Sequence, residues 1–284
     1  MGLGSADVCP SSQPGINGRE YAQLLVPLPS LPVQESITAA AIDADELIET
    51  LEQSISKKQA IKQGVMQALL AGQTRLPGFT TGWSRQALGE LGTFLKGRGI
   101  KRDDVQRTGV PCIRYGELYT TYRDYTSDTV SFVSSSLAMT ALAIRDGDLL
   151  FARSGETLAE IGVCAAYTSN RHAVAGEDIV VLRGSSFNPV FLASAVNTAA
   201  AASQKARLGQ GDAVAHITSR ALASIEVEMP QRPEQDAIAA VIMDLDSELR
   251  VLRERLAKAK AVKQGMVQEL LTGRTILPVK EPAA

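Results

Sequence analysis

Five cations fall between positions 96 and 107: Lys96, Arg98, Lys101, Arg102 and Arg107, against Asp103 and Asp104. Projected from a rigid body, such a stretch neutralises phosphates and releases counterions from a nucleic-acid backbone. As a solvated surface loop it does neither. A second stretch, Arg114-Tyr115-Gly116-Glu117-Leu118-Tyr119-Thr120-Thr121-Tyr122, combines a guanidinium for base edges or phosphate with tyrosines for stacking and neighbouring threonines. Its alternative reading is a tyrosine corner that closes a sheet. A third, Ser154-Gly155-Glu156-Thr157, places a carboxylate at a turn directly after an apolar run. There it either accepts from cytosine N4 or caps the next segment. The candidate DNA contacts are therefore Lys96, Arg98, Lys101, Arg102, Arg114, Tyr115, Tyr119, Thr121, Tyr122, Ser154, Glu156 and Thr157.

Enzyme signatures are sparse. No Walker A loop occurs, and Arg102 stands where a dinucleotide fingerprint beginning at Gly97 requires its third glycine. Asn188-Pro189 continues into Val190 and Phe191, not into the Asn-Pro-Pro-aromatic loop of adenine methyltransferases. No Asp-x-Lys or Glu-x-Lys appears, which removes the usual metal-nuclease pattern. His172 and His216 have no cysteine or carboxylate at metal-ligand spacing, and His216, in a β-like run, reads as a satisfied core histidine. Nothing such as Gly-x-Ser-x-Gly supports a Ser-His-Asp triad. The chain is expected to be non-catalytic, with no metal or cofactor of its own.

The elements that must position these stretches include a repeat. A shift of 201 lays Pro29–Pro77 on Pro230–Pro278 without a gap, with 20 of 49 positions identical. Each copy has mostly apolar residues at positions alternating by steps of four and three: Ile37, Ala41, Ala44, Ile48, Leu51, Ile55, Lys58, Lys62, Val65 and Leu69 in the first. The second has Ile238, Ile242, Leu245, Leu249, Leu252, Leu256, Ala259, Lys263, Met266 and Leu270. That is a heptad seam. Pro32 and Pro233 stand just ahead of the two helices, and Gly72 and Gly273, followed by Pro77 and Pro278, end them. Each rod is roughly 50 Å long. A lone rod exposes its seam, so the helices are expected to pair antiparallel through Ile48, Leu51, Ile55, Leu249, Leu252 and Leu256. Gly64 and Gly265 lie inside both helices, where glycine costs about 1 kcal/mol relative to alanine, and suggest close backbone approach by something.

With 284 residues and an ordinary apolar fraction, the chain suits one or two domains with a sizeable core. A net charge of −2 excludes a uniformly basic nucleic-acid binder. Cys9, Cys112 and Cys164 have no metal-like spacing, no secretory leader is evident, and no run is long enough to span a membrane. A reduced, cytoplasmic protein is expected. The organisation read from the sequence is a disordered tail (1–15), a segment (16–33) that looks like the last strand of an absent domain, a first helical repeat (34–78), a central domain (79–232), a second helical repeat (233–279) and a tail (280–284). In the central domain Leu149–Ala152, Gly162–Ala166, Ile179–Leu182 and Ile217–Met229 read as strands. Asn188-Pro189 opens an Ala-rich helix ending before Gly209. The fold class is mixed α/β (α+β): one globular domain with a curved β-sheet, flanked by two long helices that form an antiparallel coiled coil.

Gly109-Val110-Pro111-Cys112-Ile113-Arg114-Tyr115-Gly116-Glu117-Leu118-Tyr119-Thr120, the turn Gly147-Asp148-Leu149-Leu150 leading to Ser154-Gly155-Glu156-Thr157, and Pro230 through Glu234-Gln235 to Ile238 carry a family resemblance. Together with the repeated Lys-Gln-Gly helix they resemble the specificity subunit of type I restriction-modification systems, over roughly Ile16 to Pro278. The resemblance implies a target recognition domain that reads one half of a split double-stranded DNA site, and helices that act as a spacer. It also implies docking of DNA adenine methyltransferase subunits, and possibly of a restriction/translocase subunit, with S-adenosylmethionine and ATP bound by those partners. The family pattern has two recognition domains, and this chain has one. Two copies in a homodimer, a second chain, or an inactive truncation would each fit, and the homodimer is favoured because the two seams could pair between chains. The competing class is a coiled-coil scaffold without DNA specificity.

Overall fold

The computed structural model describes residues 28–155, 160–211 and 215–277, together with residues 18, 22, 23, 157 and 158. The tail 1–15, half of the segment 16–33, Glu156 and the tail 280–284 lie outside the described residues. The chain forms two compact units: Ser56–Arg250, and Met1–Ile55 together with Val251–Ala284.

The first long helix, α1, is Leu31–Leu70. Pro32 lies inside its first turn rather than ahead of it, where an N–H would have no intrahelical acceptor and its absence costs nothing. The central domain begins with β1 (Ser84–Ala87), the one-turn α2 (Leu88–Leu91) and β2 (Thr93–Lys96). There follow β3 (Val110–Ile113), α3 (Glu117–Thr120), β4 (Tyr125–Thr126), β5 (Ser131–Val133), α4 (Ser135–Ala138), β6 (Leu142–Ile144), β7 (Leu149–Ala152) and β8 (Ser154–Gly155). Next come β9 (Cys164–Tyr167), β10 (Ala173–Ala175), β11 (Ile179–Arg183), α5 (Pro189–Val196) and α6 (Ala199–Leu208). β12 (Ala215–His216), α7 (Ser219–Ala223) and β13 (Glu226–Met229) lead into the second long helix, α8 (Arg232–Leu271), where Pro233 again lies within the first turn.

Most strands divide between two larger sheets, in the orders β2-β11-β7-β9-β4 and β5-β3-β10-β6, in the mixed α/β domain that the sequence implies. β7 explains the division. All four of its residues are buried. Leu149 and Phe151 pack into a core that includes Leu88, Phe191, Ile225, Ile238 and Ile242. The alternate residues Leu150 and Ala152 pack on the opposite face with Ile113, Leu118, Ile144 and Tyr167. A strand covered on both faces reads as a continuous apolar run. A smaller core, with Ile100, Cys112, Val133, Ala138 and Val174, completes the domain.

Asn188 caps α5 as its sequence implies, its side-chain oxygen accepting from the Val190 and Phe191 amides, each at 3.0 Å. The single Ala-rich helix does not form. Asn197 breaks it by donating through Nδ2 to the Cys164 carbonyl at 2.7 Å and to Asp124 at 3.0 Å, while Thr198 caps the start of α6. Polar side chains that satisfy backbone groups compete with helix in this way. The run Ile217–Met229 likewise splits. Thr218 caps α7, and only β13 keeps the alternating exposure expected of a half-covered strand.

The two long helices run antiparallel. In the unit Ser56–Arg250, Lys58 meets Glu248 and Lys62 meets Asp246, each at 2.5 Å. In the other unit Lys260 meets Glu52 at 2.6 Å and Lys263 meets Asp45 at 2.5 Å. Every seam position named from the sequence is buried or half-buried, including Ile48, Leu51, Ile55, Leu249, Leu252 and Leu256. Burial of this apolar stripe is what stabilises helices of marginal intrinsic propensity. At Gly64 and Gly265 a Cβ would have nothing within 4 Å, so nothing in the chain itself requires glycine there.

A charged latch ties the end of α1 to the start of α8. Glu234, almost wholly buried, accepts from Arg75 Nε at 2.6 Å, from Arg75 Nη2 at 2.7 Å and from Trp83 Nε1 at 3.2 Å. The Arg75 guanidinium lies over the Trp83 ring, 5.6 Å from its centroid. Bidentate geometry and the cation–π contact together compensate the desolvated carboxylate.

Candidate nucleic-acid interface

The cationic stretch leaves the end of β2. Gly97 donates its amide to the Ile179 carbonyl at 2.8 Å, and a Cβ there would collide with the Gly176 carbonyl oxygen. Gly99 has φ +81°, the left-handed region that favours glycine. The two glycines therefore serve the backbone path of the loop. Ile100 plugs the loop into the small core beside Ala138, and Asp104 accepts from the Lys101 amide at 2.7 Å. Lys96, Arg98, Lys101, Arg102 and Arg107 are all exposed, and none makes an ion pair with another described residue. A loop pinned at its apolar residue with free cations outside can grip an anionic backbone at little ordering cost.

The tyrosine stretch forms a separate group, and burial corrects part of its reading. It contains the one-turn α3, whose buried Glu117 is only 4% exposed. Glu117 accepts from Arg114 Nε at 2.9 Å, from the Arg114 amide at 3.2 Å and from Ser131 Oγ at 2.5 Å. Arg114 is thus half-buried and held by its Nε, with its terminal nitrogens left for any further contact. Tyr115 and Thr121 are exposed. Tyr122 is not a surface contact: it is 6% exposed, and its hydroxyl accepts from the Val130 amide at 2.9 Å. Burial pushes its phenol up to about 12. Tyr119 donates to the Ser154 carbonyl at 2.7 Å, half-buried, and burial raises its phenol well above the usual range.

Ser154 also leaves the candidate surface. It is 4% exposed, and its hydroxyl lies 2.9 Å from His216 Nδ1. His216 is exposed rather than a core residue, because the pairing of β12 with β8 carries its ring to the rim of the domain. Thr157 bonds Glu160 at 3.0 Å, and Glu156 lies outside the described residues. The sequence offered no sign of Glu117 and Ser131 as partners of Arg114, since they meet only when α3 and β5 fold together. Tyr125 was also missed. Its hydroxyl hydrogen-bonds Asp246 of α8.

No protein-family model matches the chain. Over 280 residues it is 20% identical to the type I restriction enzyme MjaVIII specificity subunit of Methanocaldococcus jannaschii, a match spanning 92% of this chain and 64% of that protein. Its homologues are type I specificity subunits. A solved structure concerned with complex assembly and conformational transition of the type I restriction-modification system matches with a TM-score of 0.56 and 20% identity, over 92% of this chain and 65% of that one. The type I restriction-modification S subunit of M. genitalium matches with a TM-score of 0.57 and 13% identity, over 85% of this chain and 61% of that one. The fold of a specificity subunit, mixed sheets with two long paired helices, is therefore present, in a chain that spans less than two thirds of these relatives. Among the described residues no group of three or more His, Cys, Asp or Glu is arranged to hold a metal ion. No helix among them is long and apolar enough to cross a membrane.

Proposed function

We propose that this chain is the DNA-recognition subunit of a type I restriction-modification complex, reading one half of a split double-stranded site with its central domain. The observation that carries the reading is the pinned loop with five exposed cations that make no ion pair with another described residue, on a domain whose homologues are specificity subunits. Lys96, Arg98, Lys101 and Arg102 would hold phosphates, while Arg114, Tyr115 and Thr121 lie nearer to bases. Phosphate contacts fix register, and the base contacts specify sequence. The outer faces of α1 and α8 would hold adenine methyltransferase subunits, which bring S-adenosylmethionine, and a restriction subunit would bring ATP. The chain itself supplies recognition and no chemistry, and it would act in the cytoplasm, beside its DNA.

A split site needs a second recognition domain. A homodimer, in which the seams pair between chains, would bring it from a second copy of this chain. The test of the reading is the salt dependence of binding to a duplex carrying the site, with the methyltransferase present. Affinity should fall linearly on a log–log plot, with a slope of about 0.9 per phosphate contact. Lys101→Ala or Arg102→Ala should each lower that slope by roughly 1, with discrimination among sites unchanged. A flat salt profile would favour the scaffold reading instead.

A further inference from the structure

Arg114 differs from the cations of the loop after β2 in having a carboxylate of its own. Its Nε donates to Glu117 Oε1 at 2.9 Å and its amide to Oε2 at 3.2 Å, while Ser131 Oγ donates to the same Oε1 at 2.5 Å. A carboxylate only 4% exposed is costly unless it is paired and hydrogen-bonded, and these donors compensate it. The turn itself asks for less. By accepting from the Arg114 amide Glu117 closes the turn that leads into α3, and that bond needs no particular side chain at position 114. Ser131 stands opposite Cys112 in the pairing of β5 with β3, so the carboxylate is fixed to the sheet as well as to its own turn.

The guanidinium is thereby reduced to one usable edge. Nε is spent on Glu117, and the two terminal nitrogens bond no described residue, on a side chain that is 31% exposed. What remains is an end-on fork of N–H donors held by a rigid partner. In the major groove only guanine presents two adjacent acceptors, O6 and N7. Adenine sets an amino donor beside its N7, thymine a methyl group beside its O4, and cytosine offers an amino donor. A phosphate also presents two acceptors, but charge argues against it. Arg114 and Glu117 together carry no net charge, so the pair would release little counterion, whereas the loop cations, which pair with no described residue, release it fully.

We infer that Arg114 reads a guanine of the half-site through its two terminal nitrogens, and that Glu117, fixed by Ser131, is the positioning residue that aims it. The surroundings suit a base edge. Tyr115 and Thr121 are exposed nearby in the chain, and a Cβ at Gly116 would meet nothing within 4 Å, so the approach is open. A contact held by a buried partner keeps its direction without the help of the ligand, which is what discrimination between base edges requires. The inference rests on the recognition reading, and adds to it the base that is read and the residue that orients the contact.

The test uses the chain assembled with the methyltransferase subunit, and short duplexes carrying the motif methylated in cells that contain both. Each guanine of the half-site is replaced in turn by 7-deazaguanine, which keeps the base pair and lacks only the N7 acceptor. One replacement should weaken binding about fivefold, and it should have no effect on the Arg114→Lys variant, which keeps the charge and loses the fork. That variant should also lose about 5- to 150-fold of discrimination against the other bases at the same position. Glu117→Gln should lose both the discrimination and the sensitivity to 7-deazaguanine while Arg114 is still present, whereas a merely structural carboxylate would leave both. If that buried substitution does not fold, Ser131→Ala should lower the discrimination in its place. A half-site without guanine would overturn the inference, as would discrimination retained in Arg114→Lys, and full discrimination in a folded Glu117→Gln or Ser131→Ala chain would overturn the positioning role. A flat salt profile of the unaltered complex would sink the recognition reading and this inference together. A steep profile with discrimination retained in Arg114→Lys would sink the inference alone.

Discussion

Lys62 Nζ lies 2.5 Å from Asp246 Oδ1, and the shift of 201 turns this pair into Lys263 and Asp45, which meet at the same distance. One contact is therefore made twice by one chain, once in each compact unit. Lysine at a seam position would be costly if it faced only apolar side chains. The reciprocal aspartates make it a register lock instead, since a slip of one heptad would strand both lysines.

The two copies of this lock should differ in strength. Side-chain exposure is 15% and 29% for Lys62 and Asp246, but 31% and 60% for Lys263 and Asp45. Double-mutant cycles with Lys→Met and Asp→Asn should give a coupling of about 1 kcal/mol for the first pair and under about 0.5 kcal/mol for the more solvated second pair. Urea titration of the four single and two double variants reads both values, and equal couplings would contradict the burial argument.

Gly64→Ala and Gly265→Ala should each stabilise the isolated chain by roughly 0.4–1 kcal/mol, because both are helical and a Cβ at either meets nothing. The same substitutions should weaken assembly with the methyltransferase if its backbone approaches these glycines. Calorimetry of the chain alone and a pull-down titration of the assembly separate the two effects. Destabilisation of the chain alone would mean that the glycines serve the fold.

Stability should rise between pH 8 and 9. Lys205 is buried against the Gly162 carbonyl, to which it donates at 2.8 Å, and burial lowers its ammonium to about 8 from an ordinary 10.5. Between those values the unfolded chain binds more protons, so raising the pH favours the fold, by roughly 1 kcal/mol over that first unit. Above pH 9 the sign reverses. Burial raises Cys112 and Cys164, whose stabilising effect is present below their ordinary 9.0 and is lost as pH rises. Tyr119, Tyr122 and Tyr125 add to that loss above their ordinary 10.0. Lys205→Met should abolish the rise between pH 8 and 9 in a denaturant titration and leave the fall above it.

The helices were legible because a seam is a one-dimensional pattern, and the repeat supplied its register twice. The caps at Asn188 and the alternation of Val227 and Met229 were legible for the same reason, being local. The candidate interface was legible only in its cationic part. Lys96 to Arg107 is charged enough that exposure follows from composition, whereas Tyr122 and Ser154 belong to residue types equally at home in a core. Their burial depends on which strands pair, β12 with β8 above all. The partners Glu117 and Ser131 of Arg114, and Tyr125 of Asp246, lie far apart in sequence from the groups they serve. Gln34 and Gln235 were identical in the repeat from the outset, but only the folded structure reveals that the Asn188 amide of the central domain donates to Gln235, whereas no described residue donates to the Gln34 side-chain oxygen.

The most direct test of DNA recognition is a genome-wide map of methylated adenines in cells carrying the methyltransferase subunit, with and without this chain. The account predicts a split motif that disappears when the chain is deleted, with two unrelated halves if the second recognition domain comes from a different polypeptide. An unchanged methylation map would contradict it.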